Sequence, residues 1–181
     1  MHVLIRILDE SIHKSRKLRF FELKNMEKKI SIEYTQLSDW KELNYSDQEL
    51  VRAANDAMDS AYAPYSKFSV GASLLLSNGE IVKGSNQENI AYPSGLCAER
   101  VALFYAGSNF PKEKVETLCV VAKGDLVDVK TILSPCGGCR QVMVETESRQ
   151  GKAYRIIMVS QDGTVIIFNS ATELLPLAFG V

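Results

Sequence analysis

Three cysteines and one glutamate are the residues of this chain best suited to chemistry, and they fall in two short strings. The strings are Cys97-Ala98-Glu99-Arg100 and Pro135-Cys136-Gly137-Gly138-Cys139. Three thiolates can hold a zinc ion and leave its fourth position open, whereas a structural zinc is closed by four protein ligands. Glu99 lies two residues from the first thiol and can move protons for whatever binds there. The pattern therefore predicts a zinc enzyme that carries out a hydrolytic reaction.

The spacing within each string predicts where helices begin. Cys136 and Cys139 are three residues apart, which on a helix places both sulfurs on one face. Cys97 and Glu99 are two apart and share no helix face, so both reach one site only at a helix start. We therefore predict Cys97 at an N-cap and Glu99 in the first turn. One zinc ion per chain would then lie where two helix N-termini meet.

Arg100 is interpreted as a balancing charge beside this site. Three thiolates around Zn²⁺ leave a net negative charge, which weakens the metal as an acid for its bound water. Each helix N-terminus contributes roughly half a positive charge, and Arg100 would add a full one near the ligands. The alternative is a solvated residue on the helix surface.

The role of Cys119 decides between a zinc site with three cysteine ligands and one with four. Cys119 lies in the apolar string Leu118-Cys119-Val120-Val121, and unpaired cysteine is often a core residue. As a fourth ligand it would instead close the site, and the chain would be a structural four-cysteine zinc module for interactions. The apolar neighbours favour the core position. For Glu99 the alternative role is that of a helix-start acid that interacts with the helix dipole.

Composition limits the class of protein. The 181 residues are 46% hydrophobic and 24% charged, which is typical of one soluble domain with a core. Lys plus Arg is 21 and Asp plus Glu is 22, so the basic excess of a nucleic-acid-binding surface is missing. No apolar run is long enough for a membrane span or a secretory signal. We predict no nucleic-acid partner, no membrane and a cytoplasmic location, where thiols stay reduced.

Apolar periodicity predicts helices and strands that alternate along the chain, which favours a sheet covered by helices. Ser46 and Glu49 form a capping-box pattern, and Asn78-Gly79 and Asp162-Gly163 are hairpin signals. Helices are predicted near residues 46–61, 98–106, 136–147 and 171–175. Strands are predicted over residues 68–76, 80–84, 116–122, 153–160 and 164–168.

The N-terminal part is predicted to differ from the rest. Residues 1–25 are rich in Lys and Arg without periodicity, and we expect a disordered or mis-annotated extension there. Residues 26–44 are predicted as an N-terminal arm, in which residues 30–34 alternate and could form an edge strand. The catalytic domain would occupy residues 45–181.

Both cysteine strings match the pattern of the zinc deaminases, in which His or Cys, one residue and Glu precede Pro-Cys-x-x-Cys. From about residue 50 onward the chain resembles one branch, the cytidine deaminases that act on free nucleosides. The resemblance rests on several segments that occur in the same order as in that family, and together they are far more specific than either cysteine string alone. The further matching segments are residues 61–68, 70–72, 84–89, 92–93, 140–143, 173–176 and 179–180.

The resemblance implies the hydrolytic deamination of cytidine and deoxycytidine to uridine and deoxyuridine plus ammonia, as in pyrimidine salvage. Cys97, Cys136 and Cys139 would bind zinc. Glu99 would take a proton from zinc-bound water and pass it to ring N3, while zinc-bound hydroxide attacks C4. Glu99 would then help to protonate the leaving amine.

The resemblance also implies substrate contacts. Phe68 would pack on the pyrimidine or the sugar, and Asn86 and Glu88 would hydrogen-bond the ribose, with Glu88 accepting from the 3′-hydroxyl. The alternative for both polar residues is local turn chemistry. A carboxylate at that position would repel a 3′-phosphate, which disfavours polynucleotide substrates.

The implied assembly is a homotetramer with active sites at subunit interfaces. Ile90, Tyr92 and Phe179 would contribute to substrate binding there, although local packing is the alternative for Phe179. The implied fold is α/β, a three-layer α/β/α arrangement with a mixed sheet of about five strands. A related zinc deaminase for another cytosine nucleoside and a nucleic-acid editing enzyme are further alternatives, and the loop 86–89 argues against the first.

Overall fold

The structure is a computed structural model that describes residues 27–180. The predictions made for residues 1–25 lie outside these residues. The strands are β1 Thr35–Leu37, β2 Phe68–Leu76, β3 Ile81–Ser85, β4 Val115–Gly124, β5 Arg155–Val159 and β6 Val165–Phe168. The helices are α1 Tyr45–Met58, α2 Ala98–Asn109 and α3 Gly137–Gln150, with 3-10 turns at Trp40–Glu42, Tyr92–Ser94 and Ala171–Leu174.

One mixed sheet holds the described strands in the order β1-β6-β5-β4-β2-β3. Side chains alternate across β4: Leu118 and Val120 pack in the core with α2 and α3, whereas Cys119 and Val121 pack with α1. The predicted three-layer α/β/α architecture is therefore confirmed. The sheet has six strands instead of about five because β1 adds an edge strand beside β6.

The parallel pair in the sheet determines where the site lies. β4 and β5 run parallel, so their C-terminal ends share one edge and α3 lies on the crossover between them. The loop 125–136 runs from the end of β4 to the start of α3. The N-terminus of α3 is thereby brought to the same edge at which β4 ends.

Close backbone approach holds two helices on the sheet. A Cβ atom on Gly84 of β3 would lie 2.7 Å from the backbone oxygen of Ala98, in the first turn of α2. A Cβ on Gly71 of β2 would lie 1.9 Å from the backbone oxygen of Ala54 in α1. Only glycine leaves room for these contacts, and Gly84 thereby fixes the start of α2 against β3.

Near the N-terminal end of the described chain, the capping box at Ser46 and the edge-strand alternative for residues 30–34 are both wrong. Residues 30–34 do not form a strand, and the edge strand instead lies at Thr35–Leu37. The N-cap of α1 is Asn44, whose side chain accepts from the backbone N–H of Asp47, so Ser46 is inside the helix. No helix within residues 27–180 is long and apolar enough to cross a bilayer.

Candidate active site

The three cysteines predicted as ligands converge at the N-termini of α2 and α3. Cys97 is the N-cap of α2, and Cys136 is the N-cap of α3. Their sulfurs are 3.8 Å apart, and the Cys136 and Cys139 sulfurs are 3.4 Å apart. All three ligand atoms lie within 4.8 Å of one another. The predicted meeting of two helix starts is confirmed.

These separations fit a zinc ion. With Zn–S bonds of about 2.3 Å, sulfurs at the corners of a tetrahedron lie about 3.8 Å apart. The backbone N–H of Cys139 also donates to the Cys136 sulfur at 3.4 Å, a contact that would stabilise a metal-bound thiolate at this helix N-terminus. Cys97, Cys136 and Cys139 would therefore hold one zinc per chain, with no fourth protein ligand required.

Contacts within the cluster favour ionisation of the Cys97 thiol. The hydrogen bond from Cys139, followed by that from Arg100, lowers the pKa of Cys97 to about 5, so this sulfur is a thiolate at neutral pH. The same hydrogen bond raises the pKa of Cys139, because its thiol is the donor, and burial acts in the same direction. A divalent cation held here would need the three sulfurs as thiolates, so its binding would release protons.

Cys119 lies on the other side of the sheet from this cluster. It is fully buried between β4 and α1, whereas Cys139 belongs to the core formed with α2 and α3. A backbone layer separates the two, so Cys119 cannot serve as a fourth ligand. The core interpretation of Cys119 is confirmed, and the closed four-cysteine module does not fit this chain.

Arg100 contacts the ligand cluster directly. One of its terminal nitrogens lies 3.8 Å from the sulfur of Cys97, and its Nε atom is buried without a hydrogen-bond partner among the described residues. A guanidinium is always protonated, so it supplies a fixed positive charge next to the thiolate. This geometry supports the charge-balancing interpretation.

We expect Arg100→Gln to weaken zinc binding by about 10–100-fold, the usual effect of losing a group that contacts a metal ligand. The amide keeps hydrogen-bonding capacity but removes the charge. Competition with a chromogenic chelator measures the affinity. Arg149→Gln, at an exposed position of α3, is the matched control and should leave it unchanged. Equal zinc affinities in all three proteins would show that Arg100 is only a surface residue.

Glu99 lies in the first turn of α2, as predicted, and is only 4% exposed. Burial raises the pKa of its carboxyl group to about 7, and the nearby Cys97 thiolate adds to this effect. The carboxyl group borders a cavity of about 650 Å³ that Cys97 and Cys136 also line. A carboxyl group and two of the three clustered cysteines therefore border the same space.

The cavity brings together most of the predicted substrate residues. Phe68, Asn86, Glu88 and Tyr92 line it, and Arg100 contributes to the same wall. Its volume is within the range of small-molecule sites. The wall therefore combines aromatic rings with a few polar groups close to the cysteines.

Asn86 and Glu88 use their side chains to join two segments of the cavity wall. The Asn86 amide accepts from the backbone N–H of Val70 at 2.8 Å and donates to the carbonyl of Phe68 at 2.9 Å. Glu88 accepts from the backbone N–H groups of Tyr65 and Ser66 at 2.9 and 3.3 Å, and from the Ser66 hydroxyl. The proposed turn chemistry is thus present, and both side chains keep unused hydrogen-bonding positions.

Ile90 and Phe179 do not line this cavity. They are 80% and 85% exposed, and Tyr92 at the cavity mouth is 76% exposed. Tyr92 packs edge-on against Tyr65 with ring centroids 6.2 Å apart. The side chain of Gln141 pairs with the backbone N–H and carbonyl of Phe179 at 3.1 and 2.7 Å. The exposed Phe179 ring is therefore held on a tethered segment.

Arg140 supports the second cysteine string, a role that the sequence interpretation missed. Its guanidinium donates to the carbonyl of Pro135 at 2.9 Å, to the Ser134 hydroxyl at 2.7 Å and to the carbonyl of Leu174 at 3.0 Å. These bonds fix the residues immediately before Cys136. The one sequence signal for this role is that Arg140 directly follows Cys139, because its hydrogen-bond partners are not part of the Cys-Gly-Gly-Cys segment.

Three cysteines at two helix N-termini, with a buried glutamate in the first turn of one helix, define a class of site. Residues 44–154 match the family model described as the cytidine and deoxycytidylate deaminase zinc-binding region. Fold and site therefore place the chain in the class of zinc-dependent deaminases. The matched region begins one residue before α1, so the edge strand β1 lies outside the region that the family model covers.

Similar proteins narrow this class. The cytidine deaminase of Halalkalibacterium halodurans is 39% identical over 132 residues, covering 73% of this chain and 92% of that protein. The probable cytidine deaminase of Dictyostelium discoideum is 36% identical over 133 residues, covering 73% and 82%. The crystal structure of cytidine deaminase from Burkholderia pseudomallei has a TM-score of 0.64 and 35% identity, covering 76% of this chain and 100% of that one. The chain belongs to the cytidine deaminase family.

Proposed function

We propose that this chain catalyses the hydrolytic deamination of cytidine and deoxycytidine to uridine and deoxyuridine, with release of ammonia, in pyrimidine salvage. The observation that supports this most directly is the buried Glu99 beside three converging cysteine sulfurs, with Glu99, Cys97 and Cys136 lining one cavity. The similarity to cytidine deaminases of bacteria and of Dictyostelium discoideum supports the same reaction.

When bound, zinc supplies a Lewis acid that makes water acidic near neutral pH. Glu99 would take one proton from the attacking water and deliver it to N3 of the pyrimidine. It would then take the remaining proton of the new C4 hydroxyl and pass it to the amine, so that the C4–N bond breaks and ammonia leaves as the C4 carbonyl forms. A pKa of about 7 suits a group that must both accept and release a proton. The charge of a bound cation acts in the opposite direction and favours the carboxylate, which is the form that accepts the first proton.

The proposed substrate is the free nucleoside. Phe68 packs on the base or the sugar, and Asn86 and Glu88 bind the ribose, with Glu88 accepting from the 3′-hydroxyl. The Ser66 hydroxyl is the first of the groups that lower the pKa of Glu88, ahead of the two backbone N–H groups, so this side chain is a carboxylate at neutral pH. A fixed negative charge beside the 3′-oxygen repels a phosphate there.

The decisive experiment compares two substrates. We expect the zinc-loaded chain to deaminate cytidine, seen as loss of cytidine absorbance, and to leave a single-stranded cytosine-containing DNA unchanged. A strong chelator should abolish the activity, and added zinc should restore it. Equal rates per cytosine on DNA and on cytidine would contradict the free-nucleoside proposal, and no activity on cytidine or deoxycytidine would contradict the reaction.

We further propose that the chain acts in the cytoplasm as a homotetramer. Large exposed apolar side chains support an assembly, among them Ile90, Tyr92 and Phe179. Residues from one chain would then complete the substrate site of a neighbour. Sedimentation at four chain masses supports the assembly, whereas a fully active monomer contradicts it. The cytoplasm keeps the clustered thiols reduced, and recovery of the chain from another cell fraction contradicts the location.

A further inference from the structure

Ser66 connects the two parts of the cavity wall that the nucleoside would contact. Its hydroxyl donates to Glu88 Oε1 and accepts from the backbone N–H of Phe68 at 3.1 Å. Both partners line the cavity, as does Ser66 itself. A hydroxyl has a single donor, and here that donor is committed to the carboxylate.

The hydrogen bonds to Glu88 leave one acceptor position for a ligand. A carboxylate offers about four lone-pair positions. Three are occupied, by the Ser66 hydroxyl on Oε1 and by the N–H groups of Tyr65 and Ser66 on Oε2. Because Oε2 accepts two bonds and Oε1 only one, the vacant position lies on the oxygen that Ser66 holds.

The backbone around Ser66 is held in an unusual conformation. The next residue, Lys67, has a φ of 54°, which is uncommon for a residue with a side chain. Its N–H bonds the carbonyl of Ala63 at 3.0 Å and closes the turn. Such conformations persist where surrounding contacts stabilise them and occur often at ligand sites. The turn presents the Ser66 hydroxyl and two N–H groups to one carboxylate.

We propose that Ser66 is a positioning residue for ribose recognition: it orients Glu88 so that Oε1 accepts the nucleoside 3′-hydroxyl. This inference rests on the proposed function and adds a specificity determinant to it. Ser66 acts through Glu88 and takes no part in the proton transfers. Its loss therefore affects the binding of substrates that carry a 3′-hydroxyl and spares those that lack one.

The test compares cytidine with 3′-deoxycytidine in Ser66→Ala. A hydrogen bond to a charged group is worth about 1.5–3 kcal/mol, or at least about tenfold in affinity, so the KM for cytidine should rise about tenfold with kcat little changed. The KM for 3′-deoxycytidine should change by less than about twofold, since the affected bond is absent from it. Ser66→Thr keeps the hydroxyl and should restore the preference for cytidine.

Ser77→Ala is the matched control. Ser77 follows the other end of β2, where its hydroxyl also donates to a carboxylate, Glu113, at 2.7 Å and accepts a backbone N–H, that of Lys114, at 3.0 Å. Its loss should leave both KM values unchanged. An equal rise for both nucleosides in Ser66→Ala, no rise for either, or a wild-type enzyme that does not distinguish them would overturn the role of Ser66. A wild-type chain that deaminates neither nucleoside refutes the proposed function instead.

Discussion

Glu99→Gln should lower kcat for cytidine by about 10²–10⁴-fold, the usual contribution of a positioned proton-transfer group. Gln has nearly the same shape, so the first turn of α2 and the cysteine cluster should remain in place. It cannot accept and release a proton near neutral pH. The side chain is only 4% exposed, so bulk water cannot readily replace it. The rate is measured by loss of cytidine absorbance under saturating substrate.

The zinc content of Glu99→Gln distinguishes a loss of catalysis from a loss of structure. We expect Glu99→Gln to bind about one zinc per chain, since its three thiolate ligands are intact, and not to melt at a lower temperature, since an amide is easier to bury than a charge. Glu145→Gln, on the exposed face of α3, makes the same chemical change away from the cavity and should keep full activity. A Glu99→Gln enzyme within about threefold of the wild type would rule out the proton-transfer role.

The placement of each cysteine string at a helix start could be predicted from spacing because it depends on local structure alone. A Cys-x-Glu string can aim both groups at one site only at a helix start, and the structure places Cys97 at the N-cap and Glu99 in the first turn. The position of Cys119 also followed from local pattern. Its apolar string forms the strand β4, in which alternate residues face opposite layers.

The start of α1 could not be predicted in the same way. The sequence offers two N-cap positions for α1 that are two residues apart. One is Ser46, paired with Glu49, and the other is Asn44, paired with Asp47. Asp47 is 3% exposed and pairs through both carboxylate oxygens with Arg155, which is 108 residues away in the chain, at 3.0 and 2.8 Å. This long-range ion pair favours the Asn44 cap, and no local pattern contains that information.

The edge strand and the supporting contacts of the site depend on distant partners as well. Thr35–Leu37 is only three residues long and pairs with Val165–Ile167 of β6, whereas the alternating residues 30–34 found no partner strand. The supporting role of Arg140 could not be predicted for the same reason, because it donates to the carbonyl of Leu174, which is 34 residues away in the chain. The ligands are thus visible in the sequence, but the groups that orient them are visible only in the fold.

Cys136→Ser should weaken zinc binding by about 100-fold or more. In zinc-finger peptides, a zinc-binding free energy of about 10–16 kcal/mol is shared among four protein ligands, which is roughly 2.5–4 kcal/mol for each. An uncharged hydroxyl replaces little of the contribution of one thiolate. Serine is a favoured N-cap residue and can accept the N–H of Cys139 that the sulfur now accepts. The start of α3 should therefore persist while zinc and cytidine deamination are lost. Chelator competition gives the affinity, and circular dichroism monitors the helices.

Cys119→Ala should lower stability but keep zinc and activity, the opposite of what we expect for Cys136→Ser. Comparing the two variants therefore tests whether the zinc site has only three cysteine ligands. The Cys119 thiol is fully buried in the layer that contacts α1, so its truncation should cost about 1 kcal/mol of unfolding free energy. Zinc affinity and activity should stay at the wild-type level, because the sheet separates Cys119 from the ligands. If Cys119→Ala lost zinc as Cys136→Ser does, four thiolates would close the metal site, leaving no position for water and no hydrolytic chemistry.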